Sequence, residues 1–131
     1  MKFLFIIFAF FSFQFVSAQE QILQSDEKIY SAKEVDIKPD YPGGMYAFYN
    51  FVAKNFMTPD KNGLNGKVII AFIVEKDGSI NDLKILQDIG YGTGKEAARV
   101  IKKSEKWIPA KVEEKNVRCV FSLPITIQTA N

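Results

Sequence analysis

The chain has 131 residues, 47% of them apolar, a formal net charge of +2, one cysteine and no histidine. That length points to one folded domain, the small charge excludes a strongly basic nucleic-acid surface, and a single thiol excludes an internal disulfide. Without histidine, the commonest general base, the commonest zinc ligand and every Ser-His or Cys-His nucleophile pair are absent.

The chain opens MKFLFIIFAFFSFQFVSA. Lys2, an apolar run from Phe3 to Phe13 and small residues at Ser17 and Ala18 predict a cleavable secretory signal over residues 1–18. The alternative is a retained anchor, but Phe3 to Ala18 is short of the roughly 20 residues a spanning helix needs and is broken by Gln14. Residues 19–38 read as a polar leader, with a short strand expected near Val35 to Ile37. The folded domain is expected over residues 39–131.

Pro39 and Tyr41-Pro42-Gly43-Gly44 break the chain. Met45, Phe48, Tyr49, Val52 and Phe56 then recur at helical spacing and predict a helix with an aromatic core stripe. Thr58-Pro59 ends it. KVIIAFIVEKDGSINDLKIL reads as a hairpin turned at Asp77-Gly78. Val68, Ile70, Phe72 and Val74 share one face of its first strand and Ile69, Ala71 and Ile73 the other, which predicts a central strand. The second strand, Ile80 to Leu86, loses its parity near Asp82, which predicts a bulge.

Residues 90–95, GYGTGK, resemble a phosphate loop in outline only. Gly90 and Gly94 are too close, and Glu96 stands where Ser or Thr would hold a metal ion. A tight turn with Thr93 as helix N-cap and Glu96 completing a capping box fits better. The helix is expected from Lys95 to Lys106, burying Ala97, Val100 and Ile101, with Trp107 just beyond as a core plug. Lys95, Arg99, Lys102 and Lys106 would form a basic stripe, read first as a solvated face.

In the last strand Val117, Cys119, Phe121, Leu123, Ile125 and Ile127 face one way, so Cys119 should be buried and inert. Arg118, Val120, Ser122, Pro124 and Thr126 face the other. Pro124 cannot donate to a ladder, which places this strand at a sheet edge. An open edge can take an extended peptide as a further strand. The order helix, strand, strand, helix, strand predicts an α+β fold: a three-stranded antiparallel sheet with two helices packed on one face. The acids fall in turns rather than a shared pocket. No catalytic set, cofactor, metal or small-molecule ligand is expected.

Three stretches, GKVIIAFIVEKDGSI, EAARVIKKSEKWIPA and VRCVFSLPITI, resemble in that order the C-terminal domain of the TonB energy-transducer family. The likeness is to the form found in Bacteroidetes, which carries Y/F-P-G-G where this chain has Tyr41, Pro42, Gly43 and Gly44. It covers about residues 39–127. It implies structural roles for those four residues and for Asp77, Gly78, Trp107, Pro109 and Pro124. It also implies a periplasmic module that binds outer-membrane receptors by adding their extended "TonB box" to an edge strand. Here that strand would be Val117, Arg118, Cys119, Val120, Phe121, Ser122, Leu123 and Ile125. The chain lacks the long rigid spacer of the full-length transducers. A free periplasmic binding module is therefore the first expectation. If the N-terminus is retained, an anchored minimal transducer served by a proton-driven motor complex is the second. A structural envelope or peptidoglycan-associated protein is the third.

Overall fold

Two long strands of alternating apolar residues frame the computed structural model, which describes residues 27–131. The expected signal and the leader up to Asp26 lie outside the described residues. The elements are β1 (Ile29–Ser31), α1 (Gly44–Asn55), β2 (Asn65–Val74), β3 (Ile80–Gln87), α2 (Thr93–Lys102), β4 (Ala110–Val112) and β5 (Lys115–Gln128). The sheet runs β1-β5-β2-β3, with β4 also paired to β5. The antiparallel trio β5-β2-β3 is the expected sheet. β1 joins it in parallel and makes the whole sheet mixed.

Both helices pack on one face of the sheet. Phe48 and Val52 of α1 and Ala97, Val100 and Ile101 of α2 meet Val68, Ile70, Phe72 and Val74 of β2 and Leu123, Ile125 and Ile127 of β5. Period-2 apolar residues on the strands and helical spacing on the helices bury their apolar sides together. Trp107 is the plug. The rings of Tyr41, Phe48, Phe72 and Phe121 surround it at centroid distances of 5.3, 5.0, 5.3 and 5.7 Å. The Tyr41-Pro42-Gly43-Gly44 turn delivers Tyr41 to this cluster: Gly44 N donates to Tyr41 O at 2.7 Å, and both glycines adopt positive φ. Only residues without a Cβ hold that conformation at no steric cost.

The hairpin and its bulge are where the pattern put them. Gly78 N donates to Glu75 O at 2.9 Å and Glu75 N to Ser79 O at 2.8 Å. Gly78 alone of the Asp77-Gly78 pair has positive φ, at 87°. Asp77 instead accepts from the backbone N and the hydroxyl of Ser79, which holds its carboxyl below the usual range. Asp82 has φ 49°, and the β2–β3 register slips between Ala71 and Ile73.

Three expectations need correction. The strand expected near Val35 to Ile37 lies earlier, at Ile29–Ser31, and Ile37 makes only a bridge to Lys111. A three-residue parallel strand depends on its partner, so no local pattern marks it. α2 stops at Lys102, not Lys106. Lys103 N and Ser104 N turn to the carbonyls of Val100 and Ile101, and Lys106 falls off the basic stripe. The N-cap of α2 is Gly92 and not Thr93, so there is no capping box. Glu96 is drawn away to Arg99 and to Met57 N.

Candidate functional site

β5 is paired along one side and only partly covered on the other. β2 takes Cys119 to Gln128. Since β1 pairs with the same Cys119 and Val120, it must lie on the side away from β2. β4 pairs with Lys115 to Val117. The expected edge of Val117 to Ile127 is therefore not open throughout. Val117 is held by β4, Arg118, Cys119 and Val120 are held by β1, and the open stretch runs from Phe121 to Gln128.

One side-chain bond fixes which groups face outward there. Tyr49 Oη donates to Pro124 O at 3.0 Å. The carbonyl of Pro124 therefore points off the β2 ladder. In an antiparallel pair, a residue's N–H and C=O point to one side and those of its neighbour to the other. Ser122, Pro124 and Thr126 thus turn their backbone groups outward, while Phe121, Leu123 and Ile125 turn theirs to β2. Pro124 has no N–H and its carbonyl is engaged. The free outward donors of the open stretch are at Ser122, Thr126 and Gln128. Of these, Gln128 lies just beyond the edge expected from the sequence, Val117 to Ile127. The alternation of the strand contained the signal for it.

Beside this edge lies a groove of about 420 Å³ between α1 and β5, lined by Tyr49, Val52, Phe56, Thr58, Ile125 and Ile127 among others. The stripe predicted as core thus divides. Phe48 and Val52 are buried, whereas Tyr49 is 39% exposed at the groove's rim. Partial burial pushes the Tyr49 hydroxyl above its ordinary value, so it remains a donor at neutral pH. An added strand would find backbone partners on β5 and an apolar floor on α1, the two requirements of strand addition.

The covered half of the edge is tied by charge. Arg118 donates to both carboxylate oxygens of Glu75, at 2.8 and 3.0 Å, and to the carbonyl of Glu27 at 3.2 Å. Glu75 raises the guanidinium above its ordinary value. Lys76 pairs with the Glu27 carboxylate. Next to Arg118, Cys119 is fully buried, and burial pushes its thiol up. It is a packed side chain, not a nucleophile.

The GYGTGK turn holds an anion of its own. The Asp88 carboxylate accepts from Gly90 N at 2.9 Å, Thr93 Oγ1 at 2.9 Å and Gly94 N at 3.2 Å. Those bonds keep its carboxyl below the usual range, Gly90 foremost. The helix N-terminus, a place where anions are stabilised, is thus filled from within the chain. Asp88 carried no sequence signal, because its partners lie across a glycine turn. Among the described residues, no group of three or more Cys, Asp or Glu side chains is placed to hold a metal ion.

A family model described as "Gram-negative bacterial TonB protein C-terminal" matches residues 59–127, more than half of the chain. No curated protein matches the chain.

Proposed function

This chain belongs to the TonB C-terminal domain family, and from that premise we propose that it is a periplasmic protein-binding module of TonB-type transport across the outer membrane. Its partner is an extended peptide from an outer-membrane TonB-dependent receptor, added as a strand along Ser122 to Gln128. The observation that carries this reading is the open half of β5 lying beside the apolar groove of Tyr49, Val52 and Phe56. Backbone bonds from Ser122, Thr126 and Gln128 supply affinity, and side chains entering the groove supply selectivity. The role is binding and not catalysis. In this reading residues 1–18 are a secretion signal, residues 27–38 brace the sheet, and residues 39–131 form the binding domain.

The test is calorimetric titration with synthetic peptides from the N-terminal segments of such receptors. The wild-type protein should bind at sub-millimolar concentration. Thr126→Pro, which removes an outward donor without touching the β2 ladder, should weaken binding about ten-fold, as loss of a hydrogen bond at a desolvated edge does. Absence of binding, or equal binding by the variant, would overturn the assignment.

A further inference from the structure

β1 occupies the same side of β5 on which a partner strand would dock. It covers Arg118 to Val120, and the open stretch begins at the next residue, Phe121. Three features mark β1 as weakly held. It is only three residues long. Ile29 is 40% exposed, which leaves the half-buried Tyr30 as the strand's one apolar anchor. Of its polar ties, the Lys76–Glu27 ion pair lies at the surface, where ion pairs contribute little and are screened by salt, and the Arg118 bond to the Glu27 carbonyl is long, at 3.2 Å.

The chain also has a hinge and a separate fastening. After Ser31 it turns, with Glu34 N on Ser31 O at 3.1 Å, and then Asp36 N and Ile37 N both meet Lys111 O. Glu113 N donates to the Asp36 carboxylate at 2.7 Å. β1 can leave β5 while residues 36–37 stay fastened to β4. Short edge elements of this kind are the low-stability units of a fold. At the junction a groove of about 380 Å³, lined by Ser31, Ala32, Lys33, Val120, Phe121 and Ser122, separates β1 from the open stretch.

On the strand-addition reading above, we infer that β1 is a resident competitor for the edge, displaced when a partner strand extends past Phe121 toward Arg118. A partner of about seven residues fits Ser122 to Gln128 beside a docked β1. A longer one needs the residues that β1 covers. β1 thus sets the length of strand the module accepts in its resting state, and its release exposes a longer, tighter site.

The register supplies a lock. Tyr30 lies opposite Cys119, so Tyr30→Cys places a second thiol beside the native one. The oxidised variant holds β1 down and the reduced variant frees it. Peptides of about seven and about twelve residues, cut from one receptor N-terminal segment, are titrated into both forms. The short peptide should bind both equally. The long one should bind the oxidised form about ten-fold more weakly, with full recovery on reduction. If the bridge does not close, Tyr30→Pro, which removes the β1 N–H that faces β5, should tighten the long peptide alone. Equal long-peptide affinity in locked and freed forms, or in wild type and Tyr30→Pro, would overturn the competition while leaving strand addition standing. If neither peptide binds any form, strand addition itself falls and the competition with it.

Discussion

The Tyr49 hydroxyl donates to the Pro124 carbonyl at 3.0 Å, tying α1 to the open edge of β5 at the one strand residue with no N–H. Position 124 therefore offers an incoming strand no donor and an acceptor already in use. Tyr49→Phe should free that acceptor. The bond is partly exposed, so the stability loss should be no more than about 1 kcal/mol. Receptor-peptide affinity should rise up to several-fold. Thermal unfolding and calorimetry on the same preparation measure both.

Pro124→Ala restores an outward N–H midway between those of Ser122 and Thr126. Proline on an edge strand blunts pairing with other chains. The variant should self-associate as its concentration rises, seen as an increasing sedimentation coefficient, while the wild type does not. An unchanged coefficient would mean that the Tyr49 bond alone protects the edge.

Gly78→Ala tests the join between hairpin and core. Gly78 has φ 87°, and a Cβ there would overlap the Trp107 carbonyl oxygen. The same two residues share a hydrogen bond, Trp107 N to Gly78 O at 2.8 Å. Strained φ and overpacking each cost about 1–3 kcal/mol, so urea unfolding should show a loss of about 3 kcal/mol or more. A loss below about 1 kcal/mol would show that the hairpin tip shifts freely.

Glu96 links stability to acid. Arg99 Nε and Nη2 donate to its carboxylate, and Met57 N donates at 2.7 Å. These bonds, Arg99 foremost, lower its pKa from 4.5 to about 2. The folded value lies below the unfolded one, so the stabilisation is complete above about pH 4.5 and is lost as the pH falls to about 2. Glu96→Gln should be less stable than wild type at neutral pH, and the gap should close toward pH 2. Denaturant midpoints across that range give the slope. A gap independent of pH would rule out this carboxylate as its source.

Elements whose partners are written into their own periodicity were legible in the sequence. Val68, Ile70, Phe72 and Val74 marked the central strand, lost parity at Asp82 marked the bulge, and helical spacing carried Val100 and Ile101 toward Trp107. What escaped depends on distant partners. β1 is a strand only because β5 runs beside it and Arg118 reaches the Glu27 carbonyl. That same pairing shortens the edge, so Val117 to Val120 looked free in one dimension and are covered in three. Glu96 fitted a capping box by spacing, but Arg99 one turn on and Met57 after the first helix offered it stronger partners. The groove itself was hidden because Tyr49 and Phe56 share the period of the core residues Phe48 and Val52. Only the position of β5 separates rim from interior.

The central claim is that a receptor peptide adds to β5 between Ser122 and Gln128, beside α1. Backbone amide mapping by NMR during titration of the protein with a receptor N-terminal peptide tests it most directly. The expected result is that the amides of Ser122, Thr126 and Gln128 shift and become protected from exchange, with smaller shifts at Tyr49, Val52 and Phe56. Saturable binding whose shifts fall on the opposite edge, Ile80 to Gln87, while β5 stays unmoved would contradict it.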